Sequence, residues 1–355
     1  MSTQSIGIDG ARIEKGNKVV FNLSEDYFEK PVMFMMVGIP ASGKTLIAHN
    51  YIFVNDGGGT IKPVVISSDD LRKELFGDEN VQNKNDELFN ELHKRIKNYL
   101  NDGVSVIYDA TNINKKKRIA FLKELKNIEC YKVCFCVMTP YELCLKNNRE
   151  RERSIPEKVI KRMYLNWCPP IVSEGFDYTV TIINEGLSDD IKYIEKYTLN
   201  NFFNGEIGAN NIDQENSHHN YTIGTHCIKT YENILNNYPE YTQDTVLMAA
   251  ALLHDCGKPF TKTHINSKGE HTEEAHYYGH HHCGAYDSIF YLNDFEPVVF
   301  SATEELEVAN LIYYHMHPFR EWKQNEKIKE RDRKILGEDM YNKIIALHEA
   351  DIKAK

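Results

Sequence analysis

The segment that most constrains the fold of this chain is a glycine-rich loop between an apolar run and a helix-like stretch. Residues 38–45 read Gly-Ile-Pro-Ala-Ser-Gly-Lys-Thr and fit the pattern G-x-x-x-x-G-K-[ST]. The apolar run 33–37 precedes the loop, and residues 44–51 have helical character. A strand that leads through a glycine loop into a helix is the repeating unit of a parallel α/β sheet. The pattern therefore predicts such a sheet around this loop.

Each fixed position of the loop has a chemical reason. Gly38 and Gly43 let backbone N–H groups approach phosphates, and the new helix offers further unpaired N–H groups with the positive end of its dipole. The Lys44 ammonium supplies a charge for the β- and γ-phosphates, and the Thr45 hydroxyl suits Mg²⁺. We therefore expect Gly38, Ser42, Gly43, Lys44 and Thr45 to bind ATP together with Mg²⁺.

Strand-like and helix-like segments alternate after this loop. Alternation of this kind favours a parallel sheet covered by helices. We predict an α/β P-loop NTPase domain with a parallel sheet over residues 31–187, and an N-terminal extension over residues 1–30 that receives no function. Within the extension, residues 18–23 resemble an edge strand. The predicted strands are 64–67, 104–108, 131–137 and 178–183, and the predicted helices are 86–100, 116–126 and 156–167.

Carboxylates follow two of the predicted strands. Asp69 and Asp70 come after residues 64–67, and Asp109 ends the strand 104–108. The carboxyl ends of parallel strands share the rim that carries the phosphate loop. One of the first two carboxylates can accept a proton from an attacking hydroxyl while the other orients it or an arginine. Asp109 can bind Mg²⁺ through water or touch the acceptor; in each case a helix N-cap is the competing interpretation.

Three arginines precede the helix that begins near Pro156. Arg149, Arg151 and Arg153 alternate with glutamates, so they can form a solvated face. They are also placed where mobile guanidinium groups could clamp a transferred phosphate.

The ordered set of motifs resembles a known family over residues 32–183. The segments are GIPASGKT, ISSDDLRKELFG, YDATNINKKKR, NNRERERSIPEKVIKRMY and EGFD. In this order they resemble the kinase module of phage and bacterial polynucleotide kinases and their wider ATPase relatives. Many of those relatives phosphorylate small molecules, so the resemblance alone does not fix the acceptor.

The resemblance implies roles for individual residues of this chain. Asp69 would be the general base on a 5′-hydroxyl, Arg72 would grip the acceptor's phosphate, and Asp109 would help to hold the acceptor. The lid arginines would come from residues 149–153, with Arg149 and Arg153 the preferred pair.

The character of the chain changes after residue 187. Residues 200–217 are rich in Asn and Gly, and strand signals nearly vanish beyond them. We predict a linker over residues 188–217 and an all-α domain over residues 218–355. Its helix-like segments are 221–235, 245–254, 284–292 and 304–315.

Most of the fifteen histidines fall in this second half. His254 and Asp255 follow an apolar helical run, and Gly257 permits the backbone bend that lets both side chains reach one ion. Neutral imidazoles and a carboxylate suit a hydrolytic transition metal or Mg²⁺, which makes a bound water more acidic. The other places that stand out are His226, His280-His281-His282, His315-Met316-His317 and Asp351.

The segments THCIKTYENI, AALLHDCGKPF, GHHHCGA, YYHMHPF and LHEADIKAK resemble the HD phosphohydrolase superfamily over residues 218–355. The resemblance implies an HD-type domain with a divalent ion such as Mn²⁺, Co²⁺ or Ni²⁺. A first metal would be bound by His226, His254, Asp255 and Asp351, and a second metal or the substrate phosphate by His280 and His315, with Lys258 assisting the phosphate. His281 or His282 competes with His280, and His317 competes with His315.

The two modules together predict a bifunctional nucleic-acid end-healing enzyme. Its kinase would phosphorylate 5′-hydroxyl ends of RNA or DNA, and its HD half would remove 3′ or 2′,3′-cyclic phosphates. No lysine motif of an adenylyltransferase is evident, so sealing would need a separate ligase. The alternatives are a small-molecule kinase fused to an HD nucleotidase, and an ATP sensor that regulates the HD half.

Composition sets the remaining bounds. The net charge of −10 excludes a global basic field, so a basic patch would have to be local, with residues 115–118 and 149–153 as candidates. No apolar run approaches the roughly 20 residues needed to cross a bilayer, and residues 1–10 lack a signal-peptide core. We expect a cytoplasmic protein with no membrane partner, whose eight cysteines are reduced and buried.

Overall fold

The computed structural model describes residues 11–14, 18–21, 30–50, 52–55, 60–61, 63–186, 188–206, 208–217 and 220–355. The chain divides into two units. The N-terminal unit comprises Met1–Ile155, Glu174–Ser188 and Ser301–Thr303, and the C-terminal unit comprises Pro156–Ser173, Asp189–Phe300 and Glu304–Lys355.

The elements are numbered in chain order. The strands are β1 (Ala11–Glu14), β2 (Lys18–Phe21), β3 (Val32–Val37), β4 (Ile52–Asn55), β5 (Thr60–Ile61), β6 (Val64–Ser67), β7 (Val106–Asp109), β8 (Tyr131–Met138), β9 (Tyr178–Ile183), β10 (Lys262–Ile265) and β11 (His271–Tyr277). The α-helices are α1 (Lys44–Asn50), α2 (Ser68–Phe76), α3 (Asn85–Asn101), α4 (Lys115–Glu124), α5 (Tyr141–Glu150), α6 (Glu157–Tyr164), α7 (Lys192–Glu195), α8 (Leu199–Asn204), α9 (Ile223–Asn237), α10 (Thr245–Leu253), α11 (Lys258–Thr261), α12 (His280–Tyr291), α13 (Ala302–Tyr314), α14 (Glu321–Gln324), α15 (Glu326–Leu336) and α16 (Glu338–Lys353).

The N-terminal unit is built on a five-stranded sheet in the order β6-β7-β3-β8-β9. Every neighbouring pair in this sheet is parallel. The central strand β3 reads Val-Met-Phe-Met-Met-Val and is buried along its whole length, as expected for a strand covered on both faces. The Phe34 and Phe135 rings pack with their centroids 5.6 Å apart in this core. The predicted α/β fold with a parallel sheet is therefore confirmed.

A second sheet of the N-terminal unit has the order β1-β2-β4-β5. Strand β2 pairs antiparallel with β1 and parallel with β4. The sequence predicted an edge strand at residues 18–23, and this detail is wrong because β2 has a partner on each side. Residues 22 and 23 lie outside the described residues.

The C-terminal unit is helical, from α6 and α7 through α16, with one exception. Strands β10 and β11 form an antiparallel hairpin, so the prediction of an all-α second half is wrong at this point. The connection reads Asn-Ser-Lys-Gly-Glu, and Gly269 has φ 84°, a conformation that glycine adopts at little cost. Among the described residues, no helix is both long and apolar enough to span a bilayer.

Residues 188–217, the predicted linker, contain α7, α8 and two short 3-10 helices. Phe202 and Gln214 of this segment are buried. Helix α6 belongs to the C-terminal unit although the sequence placed it in the kinase domain. The predicted domain boundaries remain a prediction.

A buried ion pair within the N-terminal unit connects helix α4 to Glu174, which ends a short 3-10 helix, Val172–Glu174. The Arg118 guanidinium donates to both carboxylate oxygens of Glu174 at 2.7 Å and to the Asn112 carbonyl at 3.0 Å. The side chains of Arg118 and Glu174 are fully buried. Arg118 is therefore not part of an exposed basic patch at residues 115–118, contrary to the expectation from the sequence.

We predict that Arg118→Ala lowers the free energy of unfolding of the N-terminal unit by about 3–5 kcal/mol, because it leaves the Glu174 carboxylate buried without its partner. Arg95→Ala is the control: Arg95 forms a two-pronged pair with Glu74, but that pair is exposed to solvent, so the loss should be much smaller. Differential scanning calorimetry of the three proteins measures both changes. Equal losses in the two variants would contradict the prediction.

Candidate functional site

The glycine-rich loop connects β3 to α1 and has the geometry of an anion cradle. A Cβ on Gly38 would lie 2.7 Å from the Val137 carbonyl oxygen, and Gly43 has φ 91°, so both positions require glycine. The Lys44 ammonium is buried and donates to the Ile39 carbonyl at 2.7 Å and to the Ser42 hydroxyl at 3.3 Å. Burial lowers the pKa of Lys44 from its ordinary value. The ammonium therefore lies inside the loop, where it can meet phosphate oxygens.

Thr45 and Asp109 meet at the base of the loop. The Thr45 hydroxyl donates to the Asp109 carboxylate at 2.7 Å, and Asp109 is buried. Asp109 ends β7 and is paired in register with Ser67 at the end of β6, so the two strand ends lie side by side. A hydroxyl and a carboxylate are oxygen ligands that suit Mg²⁺. Of the two roles predicted for Asp109, this geometry favours Mg²⁺ binding. Its contact with the acceptor remains a prediction.

Asp69 lies in the first turn of α2, and its carboxylate does not cap the helix. The N-cap is Ser67, whose hydroxyl accepts from the backbone N–H groups of Asp69 and Asp70. The competing interpretation, a cap formed by Ser68 or Asp69, is therefore wrong. Asp69 Oδ1 accepts from Arg72 at 3.0 Å, and Oδ2 lies 3.4 Å from a terminal nitrogen of Arg153. The carboxylate is half-exposed, so an acceptor can reach it.

The two guanidinium groups beside Asp69 differ in exposure. Arg72 is buried and also donates to the Asn85 side chain at 3.0 Å. Its guanidinium group is therefore held in place and can orient the Asp69 carboxylate. Its predicted grip on the acceptor's phosphate remains a prediction. Arg153 also donates to the Glu79 carbonyl and the Asn80 side chain, both at 3.1 Å.

The other two arginines of this segment occupy different surroundings. Arg149 lies in the last turn of α5. Burial is the main cause of the lowered pKa of Lys44, and the positive charge of Arg151 adds to it. All three arginines therefore remain candidates for the phosphate clamp, with Arg149 and Arg153 the preferred pair.

The histidine motifs of the C-terminal unit come together at one place. His226 projects from α9, His254 and Asp255 follow α10, and Asp351 lies on α16. The His226 Nε2 lies 2.9 Å from an Asp351 oxygen and 3.2 Å from the His254 Nε2. Both Nε2 atoms lie 3.4 Å from Asp255 Oδ2. The four residues predicted for a first metal therefore face a common centre.

A second group shares Asp255 with the first. The other oxygen of this carboxylate, Oδ1, lies 3.4 Å from the His280 Nε2, which in turn lies 3.4 Å from the His315 Nε2. The described residues contain two clusters with metal-ligand geometry, His226-His254-Asp255 and Asp255-His280-His315. His280 and His315 occur in a cluster, whereas their competitors His281, His282 and His317 do not.

The ring orientations prepare these histidines to bind a cation. The Nδ1 atoms contact backbone carbonyl oxygens, and because a carbonyl only accepts, each Nδ1 must carry the proton. In the neutral ring the Nε2 atom then carries the lone pair that can bind a metal. The four contacts are His226 to Ala354 at 3.2 Å, His254 to Ala251 at 2.9 Å, His280 to Tyr277 at 2.8 Å and His315 to Ile312 at 2.6 Å.

Burial keeps part of this centre neutral. It lowers the pKa of His280 to about 4 and that of His315 to about 3, so both rings are uncharged at neutral pH. Burial opposes ionisation of Asp255, but the Lys258 ammonium holds its pKa well below the ordinary range. Converging imidazoles, two of them held neutral, together with the carboxylates of Asp255 and Asp351, fit a divalent transition metal.

Lys258 has a support that the sequence did not reveal. Its ammonium lies 2.6 Å from Asp255 Oδ2, donates to the Gln214 side chain at 2.5 Å, and lies over the Tyr277 ring at 5.4 Å. The Tyr277 hydroxyl donates to the Gln214 carbonyl at 2.9 Å. Gln214 falls in the predicted linker, so no motif could have indicated it.

Comparison with known proteins identifies two domains in this chain. A family model described as an AAA domain matches residues 33–170, and one described as an HD domain matches residues 223–347. The chain thus carries a P-loop, kinase-like domain fused to an HD domain. A kinase fold implies ATP, and an HD domain implies a divalent metal.

One curated relative is the L-seryl-tRNA(Sec) kinase of Methanococcus maripaludis, 27% identical over 152 residues. The match covers 41% of this chain and 56% of that relative, so the chain spans about half the length of the protein it matches. A solved structure from Chloroflexus aurantiacus is 12% identical, covers 46% of this chain and 95% of its own, and has a TM-score of 0.34.

We predict that the C-terminal unit binds Mn²⁺, Co²⁺ or Ni²⁺ and that His254→Gln weakens binding by at least ~10-fold, because it removes a ligand atom from the shared centre. Isothermal titration of metal-stripped protein measures the affinity. His264→Gln is the control, since His264 is an accessible residue of β10 paired with Glu215. If the two variants lose affinity equally, the assignment of the centre is wrong.

Proposed function

We propose that this chain is a bifunctional nucleic-acid end-healing enzyme, with an ATP-dependent 5′-hydroxyl polynucleotide kinase in its N-terminal unit and a metal-dependent phosphohydrolase in its C-terminal unit. One observation carries the kinase half. The Asp69 carboxylate is exposed, is released from capping by Ser67, and is flanked by the guanidinium groups of Arg72 and Arg153. A carboxylate in this setting can activate an alcohol whose neighbouring groups are anionic.

The kinase step follows from these positions. Asp69 accepts the proton of the acceptor hydroxyl, whose oxygen forms a bond to the γ-phosphorus as the bond to the β-phosphate oxygen breaks and ADP leaves. Lys44 and the arginines of residues 149–153 stabilise the negative charge on the transferred group. Thr45 and Asp109 would hold Mg²⁺ when it is bound.

The nucleic-acid acceptor has separate support. The relative from Methanococcus maripaludis is by name an L-seryl-tRNA(Sec) kinase, which supports an acceptor attached to RNA. The guanidinium pair at Asp69 suits an acceptor that carries phosphate. RNA or DNA ends are accordingly the proposed substrates, and a separate ligase is the proposed partner.

The HD half is proposed to remove 3′ or 2′,3′-cyclic phosphates. A bound divalent metal would supply Lewis-acid chemistry and a more acidic water. His226, His254, Asp255 and Asp351 would hold one ion, and His280 and His315 a second ion or the substrate phosphate. Lys258, fixed between Asp255 and Gln214, places a positive charge where phosphate would enter.

The pairing of the two activities is chemically coherent. Many RNases leave a 5′-hydroxyl and a 2′,3′-cyclic phosphate, whereas a ligase needs a 5′-phosphate and a 3′-hydroxyl. The net charge of −10 favours a second candidate, a nucleoside or metabolite kinase fused to a nucleotidase.

We predict that the chain transfers label from γ-labelled ATP to 5′-hydroxyl oligonucleotides. Asp69→Asn should lower kcat by about 10²–10⁴-fold, because it removes the general base without removing the phosphate loop. Asp70→Asn is the matched control and should retain activity, since Asp70 is exposed and adjacent in sequence. Lys44→Ala should abolish transfer. Labelling of free nucleosides alone would favour the small-molecule candidate and exclude end healing.

We predict that the metal-loaded chain hydrolyses RNA ending in a 2′,3′-cyclic or 3′ phosphate. Asp255→Ala should abolish this hydrolysis while the kinase activity remains, because Asp255 is common to both ligand clusters. Phosphate release from end-defined RNA is the measurement, and Lys44→Ala, which should retain hydrolysis, is the reciprocal control. Full hydrolysis by Asp255→Ala would refute the role of this centre.

A further inference from the structure

The carbonyl oxygens of the phosphate loop are bound by side chains that lie outside the loop. Thr139, one residue after β8, donates its hydroxyl to the Ser42 carbonyl at 2.8 Å. Asn184, one residue after β9, donates its side-chain amide to the same carbonyl at 3.0 Å. Asn147 on α5 donates to the Ala41 carbonyl at 3.2 Å. Two adjacent peptide groups of the loop are therefore held from outside.

These contacts fix the direction of the N–H groups because a peptide unit is planar. When the Ser42 carbonyl is turned toward Thr139 and Asn184, the Gly43 N–H must point the opposite way. The loop needs such support because Ala41 has φ 63° and Gly43 has φ 91°. These positive φ angles are sparsely populated, so contacts from the surrounding structure must hold them. The Ser42 oxygen has two lone pairs, and the two donors can occupy both.

Gly43 and Asn184 are also matched in shape. A Cβ on Gly43 would lie 2.6 Å from the Asn184 side-chain nitrogen. The missing side chain of the glycine therefore provides the space that the asparagine amide needs to reach the loop. Asn184 lies beyond the segment that matches the AAA domain model, and no motif of the phosphate loop includes it.

We propose that Asn184 is a positioning residue for the nucleotide phosphates, and that it acts together with Thr139 by holding the Ser42 carbonyl so that the Gly43 N–H faces the β-phosphate. The proposal rests on the nucleotide-binding role of residues 38–45. It separates two kinds of residue in this site: those that touch phosphate, and those that aim the backbone amides that touch phosphate.

The test is a double-mutant cycle on nucleotide binding. Asn184→Ala and Thr139→Val should each weaken Mg·ADP binding by about 5-fold, the value of one neutral hydrogen bond. The affinity of the double variant should fall by more than the product of the two single-variant factors, because the Ser42 carbonyl then loses both donors. Asn184→Asp, which replaces the donor with a carboxylate beside the carbonyl, should bind more weakly than Asn184→Ala. Titration calorimetry of each protein measures these affinities.

A control variant and a control ligand test whether the effect is specific to Asn184 and to the β-phosphate. Asn98→Ala removes an exposed asparagine of α3 from the same unit and should leave Mg·ADP binding unchanged. AMP lacks the β-phosphate, so its affinity, measured by competition, should change by less than 2-fold in all variants. Melting midpoints identify any variant that is merely unfolded, and Asn184→Ala, at a partly exposed site, serves if Thr139→Val fails to fold.

Equal losses for AMP and ADP, or single-variant effects that simply multiply in the double variant, would overturn the proposal. The proposal would also be overturned if Asn184→Ala and Asn184→Asp bind Mg·ADP as tightly as the wild-type chain does. The proposed kinase function would survive that result. A wild-type chain that binds no adenine nucleotide would remove the kinase function and this proposal together.

Discussion

Parallel strand pairing is the constraint on which the kinase-like site depends. Because β6, β7 and β3 run in the same direction, their carboxyl ends open on one edge of the sheet. That edge receives the phosphate loop after β3, Asp109 at the end of β7 and Asp69 just after β6. The hydrogen bond from Thr45 to Asp109 then joins residues 64 positions apart in the sequence. Reversing any one of the three strands would move the residues that follow it to the opposite edge of the sheet.

The C-terminal unit depends on a different constraint, the burial of a charged carboxylate. Asp255 is almost fully buried, which is unfavourable unless opposite charge or strong donors surround it. Lys258 supplies the charge, and Gln214 and Tyr277 hold Lys258 in place. The Nε2 atoms of His226, His254 and His280 lie 3.4 Å from the same carboxylate, while their Nδ1 atoms donate to backbone carbonyls. The centre is thus organised around one anion and is complementary to cations.

The sequence predicted those parts of the molecule that local patterns encode. The strand–loop–helix unit at residues 33–50 and the later strands follow from local spacing or apolar character. The clustering of His226, His254 and Asp255 was implied by the resemblance to the HD superfamily. Contacts between distant residues could not be predicted in this way. Asn184 and Ser42 are 142 positions apart, and Lys258 and Gln214 are 44 apart. The burial of Arg118 escaped prediction for the same reason, because three lysines precede it and its partner, Glu174, is 56 positions away.

The electrostatics of both sites are compatible with the phosphate binding proposed for this acidic chain. Screening in physiological salt limits the reach of exposed charges to about 8 Å, so the net charge matters less than the groups at the site. Here those groups are cations already held by carboxylates: Arg72 and Arg153 by Asp69, and Lys258 by Asp255. A cationic side chain that is already held in place loses little conformational entropy when phosphate binds. Its fixed position also determines where the anion can bind. In the proposed function, selectivity for phosphate at each site would therefore arise from pre-oriented local pairs, without a basic surface.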